Sequence, residues 1–97
     1  MGAAWRVLQL KQPHFSASLN AHAPPGTSAY DAVIRVLGQL QNDQDLPGPA
    51  DRVDRIPPNR PCFVRPIPRE GLLVCYALRG QFIYALAVKR MGWDLLL

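Results

Sequence analysis

The chain has 97 residues, 48% of them apolar, and a formal net charge of +4. A chain of roughly this length buries about two-thirds of its surface around one core, so a single domain over residues 1–97 is expected. Its apolar runs fall far short of the ~20 residues that span a bilayer, no secretory leader pattern opens it, and two cysteines are too few for a disulfide framework or a zinc cage; the expectation is a soluble cytoplasmic protein whose Cys62 and Cys75 are buried free thiols.

Trp5 to Leu10 reads as a first strand with both faces partly apolar, ended by Pro13. His14 to Ala23 is a short helical stretch, and Pro24-Pro25-Gly26 breaks the chain after it. Ser28 to Gln41 is the strongest helix. Ser28 is expected as its N-cap with Asp31 three residues on, and Tyr30, Val33, Ile34, Leu37 and Leu40 form its apolar stripe. A loop from Gln44 to Ala50 follows. Seven prolines between Pro47 and Pro68 exclude a helix there and restrict any strands to short, edge or bulged pieces, of which Arg52 to Ile56 and Cys62 to Ile67 are the candidates. Pro68 to Gly71 is a turn.

Leu72 to Leu78 and Gln81 to Val88 are the clearest strands, joined tightly at Arg79-Gly80. Alternation places Phe82, Tyr84, Leu86 and Val88 on one face and Ile83, Ala85 and Ala87 on the other. Both faces are apolar, as expected of central strands. The tail ends in Leu95-Leu96-Leu97, which is expected to pack against the chain or a partner. The whole is an α+β fold: two N-terminal helices packed on a small, mainly antiparallel sheet, in the order β-α-α-β-β-β.

The charge is unevenly placed. Residues 1–50 balance Arg6, Lys11 and Arg35 against Asp31, Asp43 and Asp45. All of the positive excess lies in residues 51–97, and nine of the eleven basic residues are arginine. Arginine's planar fork grips phosphate or carboxylate with two parallel hydrogen bonds and stacks on bases, so a polyanion or an acidic partner is expected. Asp51 and Asp54 interleave with Arg52 and Arg55 and read as a local charge ladder. His14 and His22 are lone histidines far in sequence from either cysteine. No phosphate loop, dinucleotide fingerprint or metal-ligand spacing is present, and no cofactor or metal is expected.

This order of elements resembles the RelE/ParE superfamily of bacterial type II toxins across nearly the whole chain. The residues that carry the resemblance are Leu72-Leu73-Val74-Cys75-Tyr76, Phe82-Ile83-Tyr84-Ala85-Leu86-Ala87-Val88 and the closing basic pair Lys89-Arg90. The resemblance implies a cognate antitoxin that masks the basic surface, in a homodimer or a toxin–antitoxin heterotetramer. It implies one of two targets: mRNA in the ribosome, cut without a metal by RelE-like members, or DNA gyrase, poisoned by ParE-like members that are not nucleases. A decayed homologue serving as a basic interaction module is a third reading.

Metal-free RNA cleavage needs a base for the 2′-hydroxyl, charge stabilisation and a proton for the leaving oxygen. Arginine does not give up its proton at neutral pH, so a lysine of lowered pKa must be the base. Lys89 is the lysine placed for that role by the resemblance. Arg90 and Arg65 join it as catalytic candidates, and Arg69, Arg79 and Trp93 as substrate-binding candidates. Two departures bear on the chemistry. Leu73 stands where the family carries a strand arginine, and no tyrosine follows the basic pair; the nearest aromatic is Trp93.

Overall fold

The computed structural model describes residues 6–43, 45–56 and 60–91, without the side chains of Ile56 and Arg60. The expectations for Trp5, for Trp93 and for the Leu95-Leu96-Leu97 tail lie outside the described residues. The elements are β1 (Val7–Leu10), α1 (His14–His22), α2 (Ser28–Asn42), β2 (Arg52–Ile56), β3 (Arg60–Ile67), a 3-10 turn (Pro68–Glu70), β4 (Leu72–Arg79) and β5 (Phe82–Arg90). They build the expected α+β fold with one more strand than the β-α-α-β-β-β order. The sheet runs β1-β5-β4-β3-β2. It is antiparallel except at the β1 edge, which pairs parallel to β5. None of the described helices is long and apolar enough to cross a membrane.

Helix α2 begins one residue earlier than its sequence signal. Thr27, not Ser28, is the N-cap: its backbone is extended and its Oγ1 accepts from the Tyr30 N–H at 3.1 Å. The buried stripe is Val33, Val36, Leu37 and Leu40, with Ile34 45% exposed. The spacing i, i+3, i+4, i+7 centres the stripe between Val33 and Leu40, with Val36 at one edge, and Ile34 falls about 100° away from Val33 on the other side. Each aliphatic side chain so buried contributes roughly 1.5–3 kcal/mol. With Phe15 and Ala23 of the α1 region they pack on Ile67, Leu72, Val74, Tyr76, Ile83, Ala85 and Val88.

Prolines sit inside β3, which is an interior strand of eight residues. The registers explain the tolerance. Pro61 faces Arg55 of β2 at a point that the β4 ladder does not reach, and Pro66 faces Leu73 of β4 beyond the end of β2. Each ring therefore has one side on which a missing N–H breaks no ladder bond.

The β4–β5 hairpin closes through Gly80-Gln81, with Arg79 opposite Phe82. Gly80 takes φ 58°, where a side chain would be strained. Further along, Tyr76 pairs with Ala85 but Cys75 pairs with Ala87, so Leu86 is an extra residue on β5. This bulge changes the strand's phase. Ile83, Ala85 and Val88 all face the helices, while Leu86 and Ala87 both pack on the other side. The simple alternation expected for this strand holds up to Leu86 and fails after it.

Candidate functional site

The sheet face away from the helices carries a second apolar cluster to which no described helical residue contributes. Cys62, Val64 and Cys75 are buried there, flanked by half-buried Leu73, Leu86 and Ala87. The bulge at Leu86 decides what else reaches this face. Had the strand kept strict alternation through Leu86, without the bulge, Lys89 would share the phase of Ile83 and Ala85 and point into the helix-packed core. With it, Lys89 lies on the open face, where its Nζ donates to Asp54 Oδ2 at 3.0 Å. Desolvation pulls the Lys89 pKa down, but the Asp54 hydrogen bond and the field of that carboxylate outweigh it, and the ammonium is held above its ordinary range. Asp54 shifts the other way: burial raises its carboxyl, while Lys89 and the Arg55 N–H bring it below the usual value.

The thiols beneath are poorly suited to nucleophilic work. Burial pushes Cys75 up to about 12, against the opposing charge of Lys89, and burial followed by the Asp54 field raises Cys62. The histidines belong to α1, which packs on the opposite face of the sheet, so they form no pair with either cysteine.

Arg65 points toward the helix-packed side and is tied down. Its guanidinium donates from Nε to Asp51 Oδ1 at 2.7 Å and from Nη2 to Asp51 Oδ2 at 3.0 Å, in the two-pronged geometry that favours arginine, and from Nη1 to Asp43 Oδ2 at 2.9 Å. The Asp51 side chain is fully buried and that of Arg65 is 12% exposed. The same carboxylate accepts from the Gly48 N–H at 2.8 Å and from the Tyr76 hydroxyl. Burial raises the Asp51 carboxyl, yet Arg65, Tyr76 and the Gly48 N–H together hold it below its ordinary value. Tyr76 is pushed up by its own burial and by the Asp51 bond. The two aspartates that read as a local ladder with Arg52 and Arg55 thus serve long-range partners, Asp51 with Arg65 and Asp54 with Lys89.

The remaining sequence candidates do not converge. Arg90 follows Lys89 along the strand, so the two project to opposite faces. Arg69, on the 3-10 turn, lines a cavity with Ser28, Asp31, Arg35 and Glu70 beside the start of α2. Arg79 is on the open face, but it lies six positions along β4 from Leu73, the partner of Lys89, which is about 20 Å at ~3.3 Å per residue. Among the described residues, no group of three or more His, Cys, Asp or Glu side chains is placed to hold a metal.

A different cluster forms at the hairpin end of the open face. Lys11, just after β1, follows that strand's parallel pairing with β5, its N–H donating to the Ala85 carbonyl at 2.9 Å. Its Nζ stands 5.5 Å from the centre of the Tyr84 ring, and Tyr84 stacks on Phe82 with ring centres 6.1 Å apart. Lys11, Arg79, Tyr84 and Leu86 help to line a cavity of about 490 Å³. Lys11 carried no signal in the sequence, because only the parallel pairing of the two chain ends brings it to Tyr84.

No family model matches the sequence, and no curated protein matches it. Among solved structures, a chain of the chromosomal ParDE TA system from P. aeruginosa superimposes with a TM-score of 0.63 at 18% identity, covering 92% of this chain and 99% of that one. The RelE/ParE-like fold expected from the hairpin and its closing basic pair is the fold the chain adopts, shared over almost its full length with that ParDE chain.

Proposed function

We propose that this chain is the toxin component of a type II toxin–antitoxin system, and that it acts by occupying its target rather than by cutting RNA. The observation that carries the second half is the state of Lys89. A general base works best with a pKa near the operating pH, and Asp54 holds this lysine protonated. Arg65 is committed to Asp51 and Asp43, and Arg79 stands far along the strand, so the charge-stabilising groups do not gather around one phosphate. The fold shared with a ParDE chain supports the first half. By the ParE side of the resemblance the target is DNA gyrase, the compartment is the cytoplasm, and a cognate antitoxin is the partner. The apolar strip of Leu73, Leu86 and Ala87 beside the Lys89–Asp54 pair is a surface for that antitoxin to cover.

The test is expression under a tight promoter, followed by transcript mapping and a supercoiling assay with purified gyrase and the purified chain. Growth arrest with gyrase inhibition and intact transcripts is the expected result. Normal supercoiling at saturating protein would sink the gyrase reading. One observation favours a RelE-like ribosome-dependent nuclease instead: the bulge turns Lys89 outward. That reading requires cut mRNA that is lost in both Lys89→Ala and Arg90→Ala. Harmless expression without any partner would point to the basic interaction module.

A further inference from the structure

We infer that the cavity at the hairpin end of the open face is a nucleotide subsite for single-stranded nucleic acid, with a base against the Tyr84 and Phe82 rings and the adjoining phosphate between Lys11 and Arg79. The cavity is lined by Lys11, Pro61, Ala77, Arg79, Tyr84 and Leu86, together with Leu78. At about 490 Å³ it lies inside the range of roughly 300–1,000 Å³ typical of small-ligand pockets. No acidic side chain among the described residues lines it. Arg65 and Lys89, two basic side chains paired with carboxylates, are elsewhere, and neither Lys11 nor Arg79 forms an ion pair among the described residues. Two cations are thus left facing one recess.

The rings decide the class of anion. A carboxylate side chain needs cations alone. Here the cations share the cavity lining with the Tyr84 ring, and Phe82, 40% exposed on the surface of the hairpin and outside that lining, stacks on Tyr84 at an inclination of 23° and extends the platform. A base has a π-face for such a platform and a phosphate within one nucleotide's reach, which is the combination used by proteins that hold single strands. A duplex keeps its bases stacked on one another and offers the recess none. Ala77 and Leu86 supply the apolar wall that a base edge needs. The inference rests on this cavity and not on the toxin reading, and its test is a binding measurement, so the two fail separately.

The experiment is fluorescence anisotropy of the purified full chain with labelled oligothymidylate and oligouridylate of about ten nucleotides, a length that spans one such site. Binding of either strand is expected, and their ratio names the sugar preferred. Phe82→Ser, at an exposed position, is expected to weaken binding by about tenfold, as loss of one stacking partner does, with Tyr84→Leu as the second stacking variant. Lys11→Gln combined with Arg79→Gln is expected to lower the slope of log affinity against log salt by about 0.7 for each phosphate that no longer meets a cation. Arg35→Gln, on α2, should bind as the parent does. The inference is overturned by no binding, by equal affinity for a duplex of the same length, or by displacement with polyglutamate at matched charge, which would mark an acidic-peptide site. Unchanged affinity in both Phe82→Ser and the double charge variant would also overturn it.

Discussion

Replacing Arg65 with methionine should remove a large share of the stability of this chain, and the structure says why. The Asp51 carboxylate is fully buried and receives four hydrogen bonds, two of them from Arg65. Methionine fills much of the space of the arginine stem but leaves that charge without its counter-ion. Breaking a buried ion pair by removing one partner costs about 3–5 kcal/mol. A chain of this length has on the order of 5–15 kcal/mol in total. With a urea m-value of about 1–3 kcal/mol per molar, the unfolding midpoint should fall by roughly 2 M at neutral pH. Adding Asp51→Asn to the same chain removes the orphaned charge while keeping acceptors for Tyr76 and Gly48, so the double variant should recover most of the loss. Acid titration gives an independent reading. The folded Asp51 pKa is depressed, so its stabilisation is present above the unfolded carboxylate value and is lost as pH falls through the folded one. The parent should therefore weaken below about pH 4, the unperturbed value for Asp, and the double variant should lose less stability across that window. A cost below about 1 kcal/mol for Arg65→Met, or a double variant as weak as the sum of its singles, would refute the claim that the two charges compensate each other.

Four further outcomes follow from the same interactions. Tyr76→Phe deletes a hydroxyl donor to a buried carboxylate and should cost about 1–3 kcal/mol by urea titration. Lys89→Met or Asp54→Asn should each change stability by no more than about 1 kcal/mol, because both partners of that pair are about a third exposed; toxicity or target binding should also stay flat between pH 6 and pH 8, since Lys89 is held charged above that range. Both thiols should ignore a disulfide reagent in the native state and react together in guanidinium, and a rapidly labelled native thiol would contradict their burial. Deleting Leu86 should leave a folded chain, because Ala85 and Ala87 already face consecutive β4 residues; a chain that fails to refold without Leu86 would show that the bulge is needed for more than strand phase.

How far the sequence foretold these features depends on the range over which each is decided. The α2 stripe and its capping threonine are local, and the pattern located the helix to within a residue or two; only the choice of Thr27 over Ser28 and of Val36 over Ile34 needed the packing. The tight hairpin announced itself through Gly80, with the turn placed one residue early: it is Gly80-Gln81, and Arg79, expected in the turn, closes β4 opposite Phe82. The bulge did not, because Phe82 to Val88 alternates acceptably in either phase and every one of those residues tolerates burial. The prolines of β3 argued against an interior strand, and what admits them is the stagger of β2 and β4, a property of three strands at once. The same limit applied to the charges. Asp51 and Asp54 have arginine neighbours in sequence, and nothing local shows that their partners are fourteen and thirty-five residues away.

Those pairings change the meaning of the basic half of the chain. Its charge excess suggests one continuous positive surface, yet Arg65 is neutralised on the helix-packed side and Lys89 on the open face. The cations without a carboxylate partner among the described residues are scattered: Arg35 on α2, Arg52 on β2, Arg90 where β5 ends, Arg69 on the 3-10 turn, and Arg79 at the hairpin with Lys11 beside it. A catalytic centre concentrates field on one atom, whereas here the cations are dispersed over both faces and the ends of the sheet, away from the apolar strip of the open face. Charges so dispersed can orient an approaching partner and raise its association rate, but they do not stabilise one reacting group. The exception is the Lys11–Arg79 recess. There two cations without carboxylate partners do meet the Tyr84 ring, on which Phe82 stacks, at the end of the sheet opposite the basic pair that the resemblance marks out.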